Sequence, residues 1–174
     1  MQKKNVTSEL KMYMIIDANA ASFVFSNPCH KDYEPIFEWI DKKDGKIVYG
    51  GRNAFELFKI SDARRSIINL DKAGQAWLIE DRLDSIELSV INSGQCKSND
   101  SHVIALARRS GARILCLKQD DELEEDFKNL DLLPFKKGKI YKRYEHRDKI
   151  LMKDPLYHAK PCFEMGGKEG NSLF

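Results

Sequence analysis

Residues 98–127 read SNDSHVIALARRSGARILCLKQDDELEEDF and contain the signals of a helix and of a strand in direct succession. Apolar residues at helical spacing end at Ser110-Gly111, which predicts an amphipathic helix with Asp100 in its first turn. The apolar run after Gly111 predicts a short buried strand with Asp120 at its carboxyl end. Open α/β sheets bind ligands outside the carboxyl ends of their strands, so both aspartates are candidates for chemistry. Each also has a structural alternative, as a complement to the helix dipole or as a turn former.

On both sides of this stretch the chain alternates strand and helix signals. An apolar run at residues 13–16 ends in Asp17 and predicts a buried strand that leads into a loop at Ala18-Asn19-Ala20. The strand KIVYGG, residues 46–51, precedes a helix that carries Glu56 between apolar neighbours. Further strands are predicted at residues 77–79, 112–117 and 140–141. The alternation predicts an α/β fold, a three-layer α/β/α architecture with a mainly parallel central sheet.

The 174 residues are enough for one domain with a hydrophobic core. Periodic segments predict that this domain spans residues 13–154, after an N-terminal extension of residues 1–12. Residues 155–174 lack periodicity and are rich in Gly, Lys and Glu, which predicts a flexible C-terminal tail. The formal net charge of +2 is nearly balanced, so a nucleic-acid partner would have to be bound by a local basic patch.

The sequence predicts a cytoplasmic protein. The basic N-terminus has no uninterrupted apolar region before Tyr13, which argues against a secretory signal, and no stretch is long enough to span a membrane. The four cysteines show no C-x-x-C spacing, and Cys116 lies inside an apolar strand pattern, as expected for reduced thiols. A zinc site formed by Cys29-His30 together with His158 and Cys162 is an alternative use of these residues.

The strongest basic segment is FKKGKIYKRYEHRDKILMK, residues 135–153. Its lysines and arginines interleave with tyrosine and histidine, a composition suited to phosphate backbones and stacked bases. A solvated, charged strand and helix is the structural alternative. The predicted nucleic-acid contacts in this segment are Lys142, Arg143 and Arg147.

Four acids are predicted to converge on one edge of the sheet. In a parallel sheet the loops after the strands share an edge, so Asp17, Asp100 and Asp120 can meet there with Glu56 from a helix that follows a strand. Clustered carboxylates repel one another unless a cation neutralises them, and hard oxygen ligands select Mg²⁺ or Mn²⁺. Such a site suits phosphodiester hydrolysis, because the metal activates a bound water and stabilises charge on the leaving oxygen.

This pattern resembles the PIN domain, a nuclease family, from about Tyr13 to about His146. The resemblance rests on the segments IIDAN (15–19), IVYGG (47–51), NAFELF (53–58), SNDSHVIALA (98–107) and GARILCLKQDDELEEDF (111–127). In that family the metal is bound by an Asp that ends the first strand, a Glu on a helix after the second strand, an Asp that opens a later helix and an Asp after the fourth strand. By resemblance these roles fall on Asp17, Glu56, Asp100 and Asp120, with Asp121 as a second candidate metal ligand beside Asp120.

The resemblance implies an Mg²⁺- or Mn²⁺-dependent endoribonuclease that acts on single-stranded RNA, with structured RNA or DNA as other substrates. It also implies a toxin or defence role, with an inhibitory partner protein and a homo-oligomer as the protein partners to expect. The family often has Thr or Ser two residues before the fourth-strand acid, where this chain has Lys118, which could contact a phosphate. Asn19 and Lys118 therefore join the basic segment as predicted nucleic-acid contacts.

Three other function classes use related patterns. A phosphatase of the haloacid-dehalogenase type needs a second Asp two residues after the first-strand Asp, and Asn19 stands there. A Rossmann-type nucleotide binder needs a glycine-rich first turn, which DAN does not supply. The remaining rival is a PIN-like module without catalysis that binds RNA or a partner protein, and metal-dependent cleavage would distinguish the two.

Overall fold

The structure is a computed structural model that describes residues 12–134 and 137–153. Five strands form one sheet in the order β3-β2-β1-β4-β5, and every pair of neighbours is parallel. The strands are β1 (Tyr13–Ile16), β2 (Lys46–Gly50), β3 (Ala76–Ile79), β4 (Ile114–Cys116) and β5 (Lys139–Tyr141). The helices are α1 (Ala18–Val24), α2 (Glu34–Lys43), α3 (Gly51–Phe58), α4 (Ser61–Lys72), α5 (Leu83–Asn92), α6 (Ser101–Ser110) and α7 (Asp121–Lys128). A 3₁₀-helix (Tyr144–His146) and a π-helix (Arg147–Leu151) follow β5.

The sheet is buried on both faces, which confirms the predicted three-layer α/β/α architecture. In β1, Met14 and Ile16 pack into one core with helices α1 to α4 and the π-helix. Ile15, on the opposite face, packs into a second core with helices α5, α6 and α7. Side chains of a strand alternate between faces, so an apolar run without polar interruptions satisfies both cores at once.

The strand order places a switch point between β1 and β4. The chain adds β2 and β3 on one side of β1 and then returns to build β4 and β5 on the other side. Loops that follow β1 and β4 therefore diverge and leave a crevice at the carboxyl edge of the sheet. Asp17 and Asp120 follow these two strands, so the topology itself brings them to that crevice.

Two glycines are required by the backbone where helices and strands join. A Cβ on Gly50, where β2 passes into α3, would lie 2.2 Å from the carbonyl oxygen of Ile79 in the neighbouring strand. Gly111 ends α6 with φ at 79°, a left-handed conformation that glycine adopts without steric cost. These positions allow α3 and β4 to start close to the strands that they pack against.

The local structure differs from the sequence-based prediction at two places. Residues 18–24 form helix α1 where a loop was predicted after Asp17, because the Asp17 carboxylate caps the helix and Ala20, Ala21 and Val24 pack in the core. Asp100 is the residue that precedes α6, not a member of its first turn.

The predicted extension and tail, residues 1–12 and 155–174, lie outside the described residues except for Met12, which is buried. His158 and Cys162 of the zinc alternative also lie outside them, while Cys29, Cys96 and Cys116 are free thiols. Over residues 12–134 and 137–153, none of the helices has the length and apolar character needed to cross a membrane.

Candidate functional site

Asp17 lies at the centre of the crevice. Its backbone N–H donates to the carbonyl of Cys116 at 2.9 Å, so the pairing of β1 with β4 continues into the site. The residue is only 5% exposed, and its carboxylate accepts a hydrogen bond of 3.1 Å from the backbone N–H of Asn19. Asp17 thus caps α1 and at the same time presents a buried carboxylate at the switch point.

Asp100 and Asp120 each precede a helix of the opposite layer. Asp120 caps α7 through a 3.0 Å hydrogen bond from the backbone N–H of Leu123 to Oδ1. Asp100 occupies the corresponding position before α6, yet its side chain makes no capping hydrogen bond. The usual structural role of an aspartate at this position therefore does not account for the Asp100 carboxylate.

The four predicted acids lie close enough to perturb one another. The pKa of Asp17 is raised to about 6, chiefly by burial and also by the negative charges of Asp100, Asp120 and Glu56, while the hydrogen bond from Asn19 opposes the rise. Burial also raises the pKa of Asp100, His102 opposes this, and Asp120 and Glu56 add to the rise. The fold thus gathers mutually repelling carboxylates, which is the charge pattern that a divalent cation neutralises.

His102 lies between two of these acids and was not predicted as a site residue. Its Nε2 is 3.5 Å from Oε2 of Glu56, and its Nδ1 is 4.0 Å from Oδ1 of Asp100. The side chain is 5% exposed and neither ring nitrogen has a hydrogen-bond partner among the described residues. The sequence signal that could have identified His102 is its position two residues after Asp100. The side chain of the residue before a helix usually lies over the first turn, which contains His102.

Glu56 is held from both sides. Its Oε1 accepts a hydrogen bond of 3.1 Å from Nε of Arg52, one turn earlier on α3, while Oε2 faces His102. Burial lowers the pKa of His102, and the Glu56 carboxylate opposes that shift. The half-buried Glu56 is therefore oriented toward α6 and Asp100 and is not a freely solvated helix residue.

The donor chemistry of the cluster fits Mg²⁺ or Mn²⁺, since all four acids supply hard carboxylate oxygens. Within residues 12–134 and 137–153, however, no three His, Cys, Asp or Glu side chains are arranged so that they could hold a metal ion. One carboxylate oxygen of Asp17 and one of Asp120 accept capping hydrogen bonds from backbone N–H groups. The negative charge of Asp120 raises the pKa of Asp17, so Asp120 lies near the cluster. Asp121 is the first residue of α7 and is exposed.

The predicted nucleic-acid contacts fall into two groups. Asn19 and Lys118 are exposed beside the acids, and Nζ of Lys118 lies 4.0 Å from the centre of the Phe23 ring. Arg143 is exposed after β5, at the same edge of the sheet, and makes no ion pair with any residue that the structure describes.

The other two predicted contacts are engaged by carboxylates. Lys142 pairs with Glu124 on α7. Arg147 binds Glu38 on α2 through two hydrogen bonds of 3.0 and 2.7 Å and also contacts Asp148. These pairs attach the segment after β5 to both helical layers, so the two side chains have a structural role in addition to any contact with RNA.

Comparison of this chain with protein-family models, with curated proteins and with solved structures gives no match.

Proposed function

We propose that this chain is an Mg²⁺- or Mn²⁺-dependent nuclease that hydrolyses phosphodiester bonds, with single-stranded RNA as its substrate. The observation that carries the proposal is the convergence of Asp17, Glu56, Asp100 and Asp120 at the switch point of the sheet, where their charges repel. Gathering carboxylates in this way costs stability, and such costly groups are typical of functional sites. Metal-assisted phosphodiester hydrolysis is a use for clustered carboxylates, and the PIN-like sequence pattern points the same way.

The residues divide into those that would hold the cation and those that would orient the substrate. Asp17, Asp100 and Asp120 would hold the cation, which when bound activates a water and stabilises charge on the leaving oxygen. Glu56 is set in position by Arg52 and His102, so that its carboxylate stays at the edge of the cluster. The exposed cations Lys118 and Arg143 lie at the same edge and would attract phosphates.

The setting proposed for this activity is the cytoplasm, with a toxin or defence role and an inhibitory partner protein or a homo-oligomer as protein partners. These parts of the proposal rest on the cysteine pattern and on the PIN resemblance.

The test is cleavage of a labelled single-stranded RNA by the purified chain, with Mn²⁺ or Mg²⁺ and with EDTA. Wild type is expected to cut only with the metal, and Asp17→Asn is expected to abolish cutting. Asp84→Asn is the matched control, because Asp84 is an exposed first-turn acid of α5. Cleavage that continues undiminished in EDTA and in Asp17→Asn would overturn the proposal.

A non-catalytic module that binds RNA or a partner protein is the second candidate. One observation favours it, namely that the described residues contain no ready group of three metal-ligating side chains. This candidate predicts RNA binding that is equal in EDTA and in Mn²⁺, with no cleavage at any metal concentration.

A further inference from the structure

Phe55 on α3 is the most exposed large hydrophobic side chain among the described residues, at 65%. The other apolar residues of its helix behave differently, since Leu57 is fully buried and Ala54 and Phe58 pack against the core. A phenylalanine ring in water contributes nothing to the core and exposes apolar surface that favours association. The ring is therefore available to a ligand.

The position of Phe55 relates it to the acidic crevice. Helix α3 starts directly after β2, at the carboxyl edge of the sheet, and Phe55 immediately precedes Glu56. Arg52 and Lys59, three residues before and four residues after Phe55, lie on the same face of the helix. Nζ of Lys59 is 4.5 Å from the centre of the Phe55 ring, and Arg52 is 55% exposed while it contacts Glu56. The exposed Phe55 ring thus has the Lys59 ammonium over it and Arg52 one helical turn earlier, on the helix that also carries Glu56.

This combination fits single-stranded nucleic acid better than it fits a protein surface. A nucleobase offers a flat π-face to the ring, and the phosphates on either side of that base attract cations. Duplex bases are already stacked on their neighbours, so their faces are covered. An apolar protein partner would bury the two cations at a cost in desolvation.

We propose that Phe55 stacks on a nucleobase of single-stranded RNA while Arg52 and Lys59 contact the adjacent phosphates. The proposal rests on the proposed nuclease function and deepens it, because it names the group that holds the strand beside Glu56. Stacking on phenylalanine does not distinguish one base from another, so the site selects unpaired strands and not a sequence.

The experiment measures fluorescence anisotropy of a short labelled oligouridine in EDTA, where metal-dependent cutting is absent. Phe55→Ala is expected to weaken binding by about 5- to 150-fold, the range that loss of one base stack corresponds to. Phe55→Trp should bind at least as tightly as wild type. The control is Leu88→Ala, which removes an apolar side chain that is 58% exposed on α5 and should leave binding unchanged.

A second probe isolates the base from the backbone. An abasic strand of the same length should bind wild type more weakly than oligouridine does, and Phe55→Ala should not weaken it further. Equal affinity of Phe55→Ala and wild type for oligouridine would overturn the inference, as would loss of self-association in Phe55→Ala without loss of RNA binding. RNA binding that depends on Phe55 without cleavage under any metal would support this inference while removing the nuclease proposal.

Discussion

The carboxylate of Asp126 accepts a hydrogen bond of 2.8 Å from the backbone N–H of Ser98. The same buried carboxylate accepts from the backbone N–H of Lys97 at 2.9 Å and from the thiol of Cys96 at 3.2 Å. Asp126 lies in the last turns of α7, and the loop that it holds leads into Asp100. Helix α7, which Asp120 caps, is therefore attached to the segment that presents Asp100.

Asp126→Ala is expected to destabilise the fold by about 1–3 kcal/mol, because the backbone N–H groups of Lys97 and Ser98 lose the charged acceptor that they share. Asp121→Ala on the same helix should cost about 1 kcal/mol or less, since that acid is exposed and acts only on the helix dipole. Urea denaturation near neutral pH measures both values. Equal effects of the two substitutions would contradict the anchoring role of Asp126.

The stability that Asp126 contributes to the fold is expected to fall with the pH. Burial raises its pKa, but the hydrogen bonds from Lys97, Ser98 and Cys96 outweigh burial and hold the pKa below its ordinary value. A carboxyl with a lowered pKa stabilises the fold above its unfolded pKa and loses that contribution as the pH falls through the folded value. The difference between wild type and Asp126→Ala should therefore shrink in acid.

Asp17 shows the opposite dependence. Its folded pKa of about 6 is above the ordinary value for Asp, so its contribution is favourable at low pH and is lost as the pH rises from about 4 to about 6. Ionised Asp17 then destabilises the metal-free protein by about 3 kcal/mol, since each pKa unit corresponds to about 1.4 kcal/mol. Asp17→Asn keeps a capping oxygen and removes this penalty. In EDTA it should melt above wild type at neutral pH and equal to wild type in acid.

Much of the fold could be predicted because the strands of a parallel sheet form recognisable apolar runs in the sequence. Strands β1, β2 and β4 are buried on both faces, so each reads as a continuous apolar run. Helix α1 could not be predicted in the same way, because it has seven residues and no charged face, and its stability comes from the Asp17 cap and from packing.

The acids of the site could be predicted, but not the residues that position them. Asp17 and Asp120 follow strands, and strand ends are visible in the sequence. His102 could not be predicted as a site residue, because a polar residue on an amphipathic helix is normally expected on the solvent-exposed face. In the structure α6 is buried from Ser101 to Ala107, so His102 is buried as well. Asp126 resembles an ordinary helix-end acid, and its partner Ser98 lies 28 residues earlier in the chain.

The basic segment after β5 is expected to separate into binding and structural residues. Arg143→Ala should weaken RNA binding and reduce the slope of log affinity against log salt concentration by about one unit, with little change in melting temperature. Arg147→Ala should lower the melting temperature, because Glu38 loses the arginine that donates two hydrogen bonds to its carboxylate. Salt titrations and thermal melts of both variants check this, and an unchanged salt slope for Arg143→Ala would show that RNA is held elsewhere.

Asp100 provides a test of metal binding that does not require activity. Its carboxylate makes no capping bond, so Asp100→Asn should melt at or above wild type in EDTA through relief of repulsion. The same variant should gain less stability than wild type when Mn²⁺ is added, because a ligand that binds only the folded state stabilises it by mass action. Asp84→Asn should gain as much as wild type. A variant that melts lower in EDTA and gains fully from Mn²⁺ would remove Asp100 from the proposed ligands.

His102 is expected to act on metal affinity through the acids that it faces. Groups that hold a metal's ligands in position typically contribute 10–100-fold in metal affinity or activity. His102→Ala should therefore raise the Mn²⁺ concentration needed for half-maximal cleavage by about that factor, because Glu56 and Asp100 lose the side chain that separates and orients them. His102→Gln, which restores a polar side chain at this position, should recover part of the loss.

The matched control for His102 is Ser101→Ala. Ser101 is the neighbouring buried residue of α6, and its hydroxyl donates to Glu87 at 2.7 Å, on the α5 side of the helix. Its removal should cost stability while leaving the Mn²⁺ dependence of cleavage as in wild type. If His102→Ala behaved like Ser101→Ala, with a lower melting temperature and an unchanged Mn²⁺ requirement, His102 would be a packing residue, and the orientation of Glu56 would depend on Arg52 alone.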